Sequence, residues 1–144
     1  MPVLVIGLAA TGEAVARHFA SRGERVVVVE DSPSDTPAYA ARVVALATIG
    51  AQLFERPTAG EALALVAEAD LVVPSPGVPE RHPALVAAHR AGTPVRSEID
   101  LAASLARSAG RPAIVAVTGT NGKTTVTTLA AARLETAQTI PTWS

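Results

Sequence analysis

Gly119, Thr120, Asn121, Gly122, Lys123, Thr124 and Thr125 form the segment best suited to chemistry. Glycines let a backbone curl until successive N–H groups point into one concavity, and a following helix N-terminus adds partial positive charge, so a polyphosphate fits there. Lys123 supplies a mobile point charge for terminal phosphates, and the Thr124 hydroxyl is placed to coordinate the magnesium that accompanies ATP. A glycine five residues before Gly122 would fall at position 117, which is Val117, so the loop has the shortened GxxGKT form. The competing possibility is a glycine-rich turn that merely joins strand to helix. Against it, Lys123 is the one lysine among 12 Lys and Arg residues, and it stands inside the motif.

A second constellation is Gly7, Leu8, Ala9, Ala10, Thr11 and Gly12, followed about 18 residues later by Glu30 and Asp31. The arrangement is Rossmann-like: glycines at a strand-to-helix turn, then a carboxylate able to accept hydrogen bonds from a ribose or a base. Ala9 stands where the middle glycine of GxGxxG lets a pyrophosphate approach the backbone, which disfavours NAD or FAD. A nucleotide site and a plain strand-to-helix turn both remain open for this segment. The third candidate is Ser75, Pro76, Gly77, Val78 and Pro79, at the carboxyl end of an expected parallel strand. Such a rigid segment lines a cleft or simply terminates the strand. His18, His82 and His89 form no metal-ligand cluster, His82 reading as a helix cap, and no catalysis is assigned to them. Glu98 and Asp100 are explained by capping and by the field of a helix N-terminus.

The elements that must position these groups alternate strand and helix. Runs rich in Val and Ile are separated by longer Ala-rich amphipathic stretches, the pattern of strands buried on both faces. Strands are expected at Val3–Ile6, Arg25–Val29, Ala51–Phe54, Asp70–Val73, Pro94–Arg96 and Ala113–Val117. Thr11 is expected to cap a first helix that Gly23 ends, with Val15 and Phe19 on one face. Ser32–Pro37 has a loop composition and leads into a helical stretch over Ala38–Ala47. Thr58 with Glu61, and Ser97 with Asp100, have capping-box spacing. His82 and Pro83 open a helix that Gly92 closes, and the helix after Ser97 is expected to end at Gly110. A boundary is expected at Ser108–Pro112, after which the chain restarts with a strand, the glycine loop and a helix over Lys123–Leu134; Glu135–Ser144 reads as irregular. The fold class is therefore α/β: a Rossmann-like open parallel sheet with flanking helices, then the first strand, P-loop and helix of an ATP-binding domain.

Composition limits the function classes. With 144 residues, 49% of them apolar, the chain has room for one substantial core plus part of another. A formal net charge of −1 leaves no basic excess for the roughly 6–10 phosphates a nucleic-acid binder contacts, so nucleic acid is not an expected partner. Aromatic residues, at 3%, are too few for a base-stacking surface. No apolar run approaches the roughly 18 residues of a membrane span, and MPVLVIG lacks the charged start of a signal peptide, so a cytoplasmic protein without a membrane partner is expected. The absence of Cys excludes disulfide and thiol chemistry.

Taken in order, VLVIGLAATG, VVVVED, LVVPSPGVP, HPAL, SEIDL and VAVTGTNGKTTVTTL resemble the N-terminal part of the Mur ligases, specifically the D-glutamate-adding MurD type, over about residues 2–134. GTNGKTT is shared across the superfamily, whereas the Rossmann-like opening and the SPG loop carry the MurD likeness. The resemblance implies a UDP-substrate domain over residues 1–109 and the start of a central P-loop ATPase domain over 110–144. It implies peptidoglycan precursor synthesis with three substrates: UDP-N-acetylmuramoyl-L-alanine, ATP and D-glutamate. A substrate carboxylate attacks the γ-phosphate of ATP, and the amine of D-glutamate then displaces phosphate from the acyl phosphate.

Carried onto this chain, the resemblance puts Ala10 and Thr11 at the diphosphate and Glu30, beside Asp31, at the uracil. Ser75 and Gly77 line the uridine cleft, and Gly119, Thr120, Asn121, Gly122, Lys123, Thr124 and Thr125 hold ATP. Lys123 is the catalytic residue and Thr124 the magnesium ligand. Ala9 replaces a frequent glycine and Glu30 a more usual Asp. The family's further magnesium ligands and amino-acid site follow this region, so the 144-residue chain alone is expected not to ligate. An NAD-type oxidoreductase domain and a noncatalytic nucleotide-binding module are the alternatives.

Overall fold

The computed structural model of the chain describes residues 1–108 and 115–138. They belong to two compact units, Met1–Leu105 and Ala106–Ser144. The first contains β1 (Val3–Ile6), α1 (Ala10–Ala20), β2 (Val26–Glu30), α2 (Pro37–Thr48), β3 (Gln52–Glu55), α3 (Ala59–Ala67), β4 (Leu71–Pro74), α4 (Pro83–Ala91) and most of α5 (Glu98–Ser108). The four strands are parallel in the order β3-β2-β1-β4, so the chain steps outward from β1 to β3 and then returns to β1's other side. That reversal opens a crevice at the carboxyl ends of β1 and β4, where Ile6 pairs with Pro74.

The strands carry few polar residues because helices cover both faces of the sheet. Val3, Val5, Val26, Val28, Leu71 and Val73 meet Val15, Ala16 and Phe19 of α1 and Tyr39 and Leu46 of α2. The alternate residues Leu4, Ile6, Val27, Val29 and Val72 meet Ala62 and Val66 of α3 and Ala84, Leu85 and Ala88 of α4. Each buried Val or Leu contributes about 1.5–3 kcal/mol, so a one-residue register slip would exchange these two sets and lose both interfaces. Both expected capping boxes form: Thr58 and Glu61 exchange side-chain and backbone bonds, as do Ser97 and Asp100. The paired Thr58 groups hold the exposed Glu61 carboxyl below its ordinary pKa. Thr36, followed by Pro37, caps α2 by accepting from the Tyr39 amide, and Gly92 closes α4 at φ +72°.

Several expected boundaries differ. Helix α1 starts at Ala10, with Ala9 at the N-cap and no side-chain cap, so Thr11 lies within the first turn and does not cap it. The start is set by packing: Gly12 rests against the Gly7 carbonyl, which requires residue 12 to be helical already. The helix ends at Ala20, and Gly23 (φ +76°) turns the chain afterwards. Pro94–Arg96 is a single bridge between Val95 and Val72, since Pro94 has no N–H to extend it and Ser97 begins the next helix.

The second unit holds the glycine loop and α6 (Lys123–Gln138). Residues 115–117 form no strand, for no described segment pairs with them, while 113–114 lie outside the described residues. Helix α6 continues through Gln138, four residues past the expected end, because no Gly or Pro interrupts it there; residues 139–144 and Gly110 lie outside the described residues. Among the described residues, no helix is long and apolar enough to cross a membrane.

Tyr39 ties α2 to β3. It is 8% exposed, and its hydroxyl donates to Glu55 Oε1 at 2.6 Å. Burial first, then the Glu55 hydrogen bond and the charges of Glu55 and Glu30, push its phenol far above the ordinary value, with Arg56 opposing. A pKa raised by folding contributes stability below the unfolded value of about 10 and loses it as pH rises beyond. Tyr39 is the chain's one tyrosine. Ultraviolet titration of the folded chain should therefore show no tyrosinate at about pH 10–11, whereas the denatured chain titrates near 10. A native midpoint equal to the denatured one would show that the Tyr39–Glu55 bond is not formed.

Candidate functional site

In the first unit, three loops leave the carboxyl edge of the sheet and are tied to one another through backbone atoms. Gly7 N–H donates to the Val29 carbonyl at 2.7 Å, and Ser75 N–H donates to the Ile6 carbonyl at 2.8 Å. Gly7 then turns at φ +94°, which needs a glycine. The buried Ser75 hydroxyl donates to the Gly7 carbonyl at 2.9 Å, joining loops 68 residues apart. A Cβ on Gly12 would lie 2.0 Å from the Gly7 oxygen and 3.0 Å from Ser75 Oγ. Helix α1 thus packs directly on the loop that precedes it. These are the first and third glycine roles of a dinucleotide fingerprint; the middle position, Ala9, is exposed.

With no side-chain cap on α1, the amides of Ala10 and Thr11 stand at the helix's positive end. Ala10 and Thr11 also line a groove of about 520 Å³ between α1 and α5. Glu30 braces the loop: Oε2 accepts from Leu8 N–H at 2.6 Å and Oε1 from Ser32 N–H at 2.8 Å. Its two oxygens therefore shape the backbone on either side of it. Asp31, half exposed, is held by His82 across 51 residues, Nε2 to Oδ2 at 2.7 Å. Because His82 Nδ1 accepts from the Ala84 amide at 3.2 Å, Nε2 carries the proton and is the donor to Asp31. His82 is thus both the expected helix cap and an orienting group for Asp31, a role that spacing along the chain did not signal. Gly77, exposed at φ +91°, turns the β4 loop. Sequence reasoning also passed over Arg56. It lines a separate groove with Asp31 and His82, and an isolated Arg-Pro pair carries no motif that would single it out.

The second unit's loop is described separately. Gly119 and Gly122 take φ +146° and +78°, conformations strained for any other residue. Gly122 supplies the carbonyl that accepts from Val126 N–H at 2.9 Å, so α6 opens immediately after it. The Lys123 ammonium bends back over the loop and donates to the Gly119 carbonyl. Thr120, Asn121, Thr124 and Thr125 are exposed around it. Gly119 through Thr125 therefore form one continuous polar, cationic turn at a helix start.

A family model described as Mur ligase MurD-like, N-terminal domain, matches residues 1–97. The UDP-N-acetylmuramoylalanine–D-glutamate ligase of Pelobacter propionicus is 43% identical over 127 residues, which cover 88% of this chain and 26% of that protein. The enzyme of the same name from Anaeromyxobacter dehalogenans is 46% identical over 132 residues, covering 92% and 27%. The chain spans about a quarter of the length of these curated relatives. The solved UDP-N-acetylmuramate-alanine ligase MurC of Thermotoga maritima superposes with a TM-score of 0.62 at 25% identity, over 96% of this chain and 30% of that one. The glycine turn, the crevice between β1 and β4 and the SPG loop all fall within the matched region, and the chain belongs to the MurD-like Mur ligase family.

Proposed function

We propose that the first unit binds the uridine diphosphate part of UDP-N-acetylmuramoyl-L-alanine and that Gly119–Thr125 bind the phosphates of ATP, as parts of a cytoplasmic enzyme that adds D-glutamate to that substrate. Residues 1–109 then form the UDP-substrate domain and 110–144 begin the central P-loop domain. The observation that carries the first half is the uncapped start of α1 beside the β1–β4 crevice. A diphosphate there accepts from the Ala10 and Thr11 amides and from the Thr11 hydroxyl, and its charge complements the helix dipole. Glu30 keeps the loop open by holding Leu8 N–H, Asp31 lies on the nucleoside side, and Ser75 and Gly77 border the uridine. An NAD-type oxidoreductase domain is less supported, since Ala9 occupies the close-approach position and the relatives are ligases.

The second loop suits a polyphosphate for two reasons. Its left-handed glycines leave the concavity free of side chains, and among the described residues the Lys123 ammonium is engaged by a neutral carbonyl, which a charged phosphate oxygen outcompetes. Lys123 then neutralises charge on the transferring phosphoryl group, the chief electrostatic demand of making an acyl phosphate. Magnesium, when bound, offsets further phosphate charge, and the Thr124 hydroxyl is the chain's group to hold it.

Adding UDP at millimolar concentration should raise the chain's melting temperature and shift amide resonances of residues 8–12; no response in either would overturn the uridine-substrate assignment. Ser75→Ala should stay folded yet bind UDP several-fold more weakly, at a cost of about 1 kcal/mol, by releasing the Gly7 carbonyl. Lys123→Ala should lower ATP affinity by about tenfold to a hundredfold, as expected for losing a charged hydrogen bond, while leaving UDP binding unchanged. Unaltered ATP binding in that variant would remove the loop from the active site.

A further inference from the structure

Helices α3 and α4 pack against the same face of the sheet, and between their outward surfaces runs a groove of about 610 Å³. Helical spacing accounts for it. Ala62 and Val66 of α3 and Ala84, Leu85 and Ala88 of α4 pack toward the strands, so Leu63 and Ala67 on one helix and Val86, Ala87 and Arg90 on the other are left to line the groove. Alanine at 67 and 87 leaves a hollow that longer side chains would fill. Leu63 beside it is 53% exposed and keeps about half of its apolar surface in water. The charges of the groove are of one sign: Arg81, just before α4, and Arg90, in its last turn, are its only charged lining residues. Both are exposed, and neither side chain forms a hydrogen bond or ion pair with a described residue. The nearby acids of α3 and its cap are occupied, Glu61 by Thr58 and Glu68 by Arg25, and Glu80 does not line the groove.

We infer that the α3–α4 groove is a docking surface for another protein, which presents an amphipathic helix with acidic side chains two turns apart and apolar ones between them. Arg81 and Arg90 bracket about two turns of α4, roughly 10 Å at 1.5 Å per residue. Carboxylates at positions i and i+7 of a partner helix span the same distance on one face, and apolar side chains at i+3 and i+4 fall between them. Those side chains cover Leu63 and Val86 and enter the space over Ala67 and Ala87, while each carboxylate meets a guanidinium. Burial of Leu63 and its partners supplies most of the affinity, because exposed ion pairs add little; the arginines select the sign of the partner. A second copy of this chain does not suit the groove, since a two-fold pairing of the face would bring four guanidiniums together. The groove shares no residue with the uridine and ATP sites proposed above, so the inference does not depend on them.

The probe is a synthetic alanine-based helical peptide with Glu at i and i+7 and Leu at i+3 and i+4, titrated into the 144-residue chain. Amide resonance shifts should concentrate in residues 59–67 and 81–91, and a peptide with Lys in place of both Glu should bind about tenfold more weakly. Added salt should narrow that difference. Leu63→Asp should weaken binding of the Glu peptide by about tenfold or more, and the double variant Arg81→Glu, Arg90→Glu should reverse the preference toward the Lys peptide. Both variants change exposed side chains and should keep the native melting temperature; the arginine pair tests the inference without touching Leu63. Failure of the Glu peptide to bind, shifts confined to other residues, or equal binding of the two peptides would each overturn the docking surface. Sedimentation velocity covers the remaining outcome: a concentration-dependent dimer that Leu63→Asp dissociates would make a second copy the occupant and overturn the acidic partner.

Discussion

Gly12 approaches the Gly7 carbonyl so closely that a methyl group in its place would lie 2.0 Å from the oxygen, and Ser75 closes on the same oxygen from the other side. Through that one carbonyl the loop after β1, the first turn of α1 and the loop after β4 are brought to a single point. The contact explains why α1 begins before its first cap-competent side chain. The N-cap residue is Ala9, which has no polar side-chain atom, so no side chain caps the amides of the first turn.

The sheet supplies the second requirement, a fixed edge from which all three loops depart. Strands covered by helices on both faces bury both alternating apolar sets, each packed against its own pair of helices. On that edge the acidic groups have different tasks. Glu30 is turned back on its own backbone, where it organises the loop, whereas Asp31 is turned outward and held by a helix-cap histidine. Adjacent carboxylates in the sequence thus divide between bracing the backbone and meeting a distant side chain.

The glycine loop before α6 is built differently from the one before α1. It gains its shape from two left-handed glycines and a lysine folded over the turn, with bonds that span only a few residues. The first loop instead depends on Ser75 and Glu30, from distant parts of the chain. A local loop of this kind is recognisable from a heptapeptide, while a distributed one is recognisable only by its glycines. The MurD-like N-terminal domain match covers residues 1–97, which hold the distributed loop.

The sequence by itself determined the alternation of strands and helices, the two capping boxes, the αL glycine after α4 and the family, because each depends on neighbours within a few residues or on a string of motifs. It placed the glycine turns at the ends they occupy. Tertiary structure decided what no local spacing encodes: that Thr11 lies inside α1, that Pro94–Arg96 reaches only one bridge, and that His82 meets Asp31. It also decided that Arg56 is bent into a left-handed turn by the Glu30 carbonyl. These outcomes rest on hydrogen bonds and contacts between strands far apart in the chain, and such bonds exist only after the sheet has set its order.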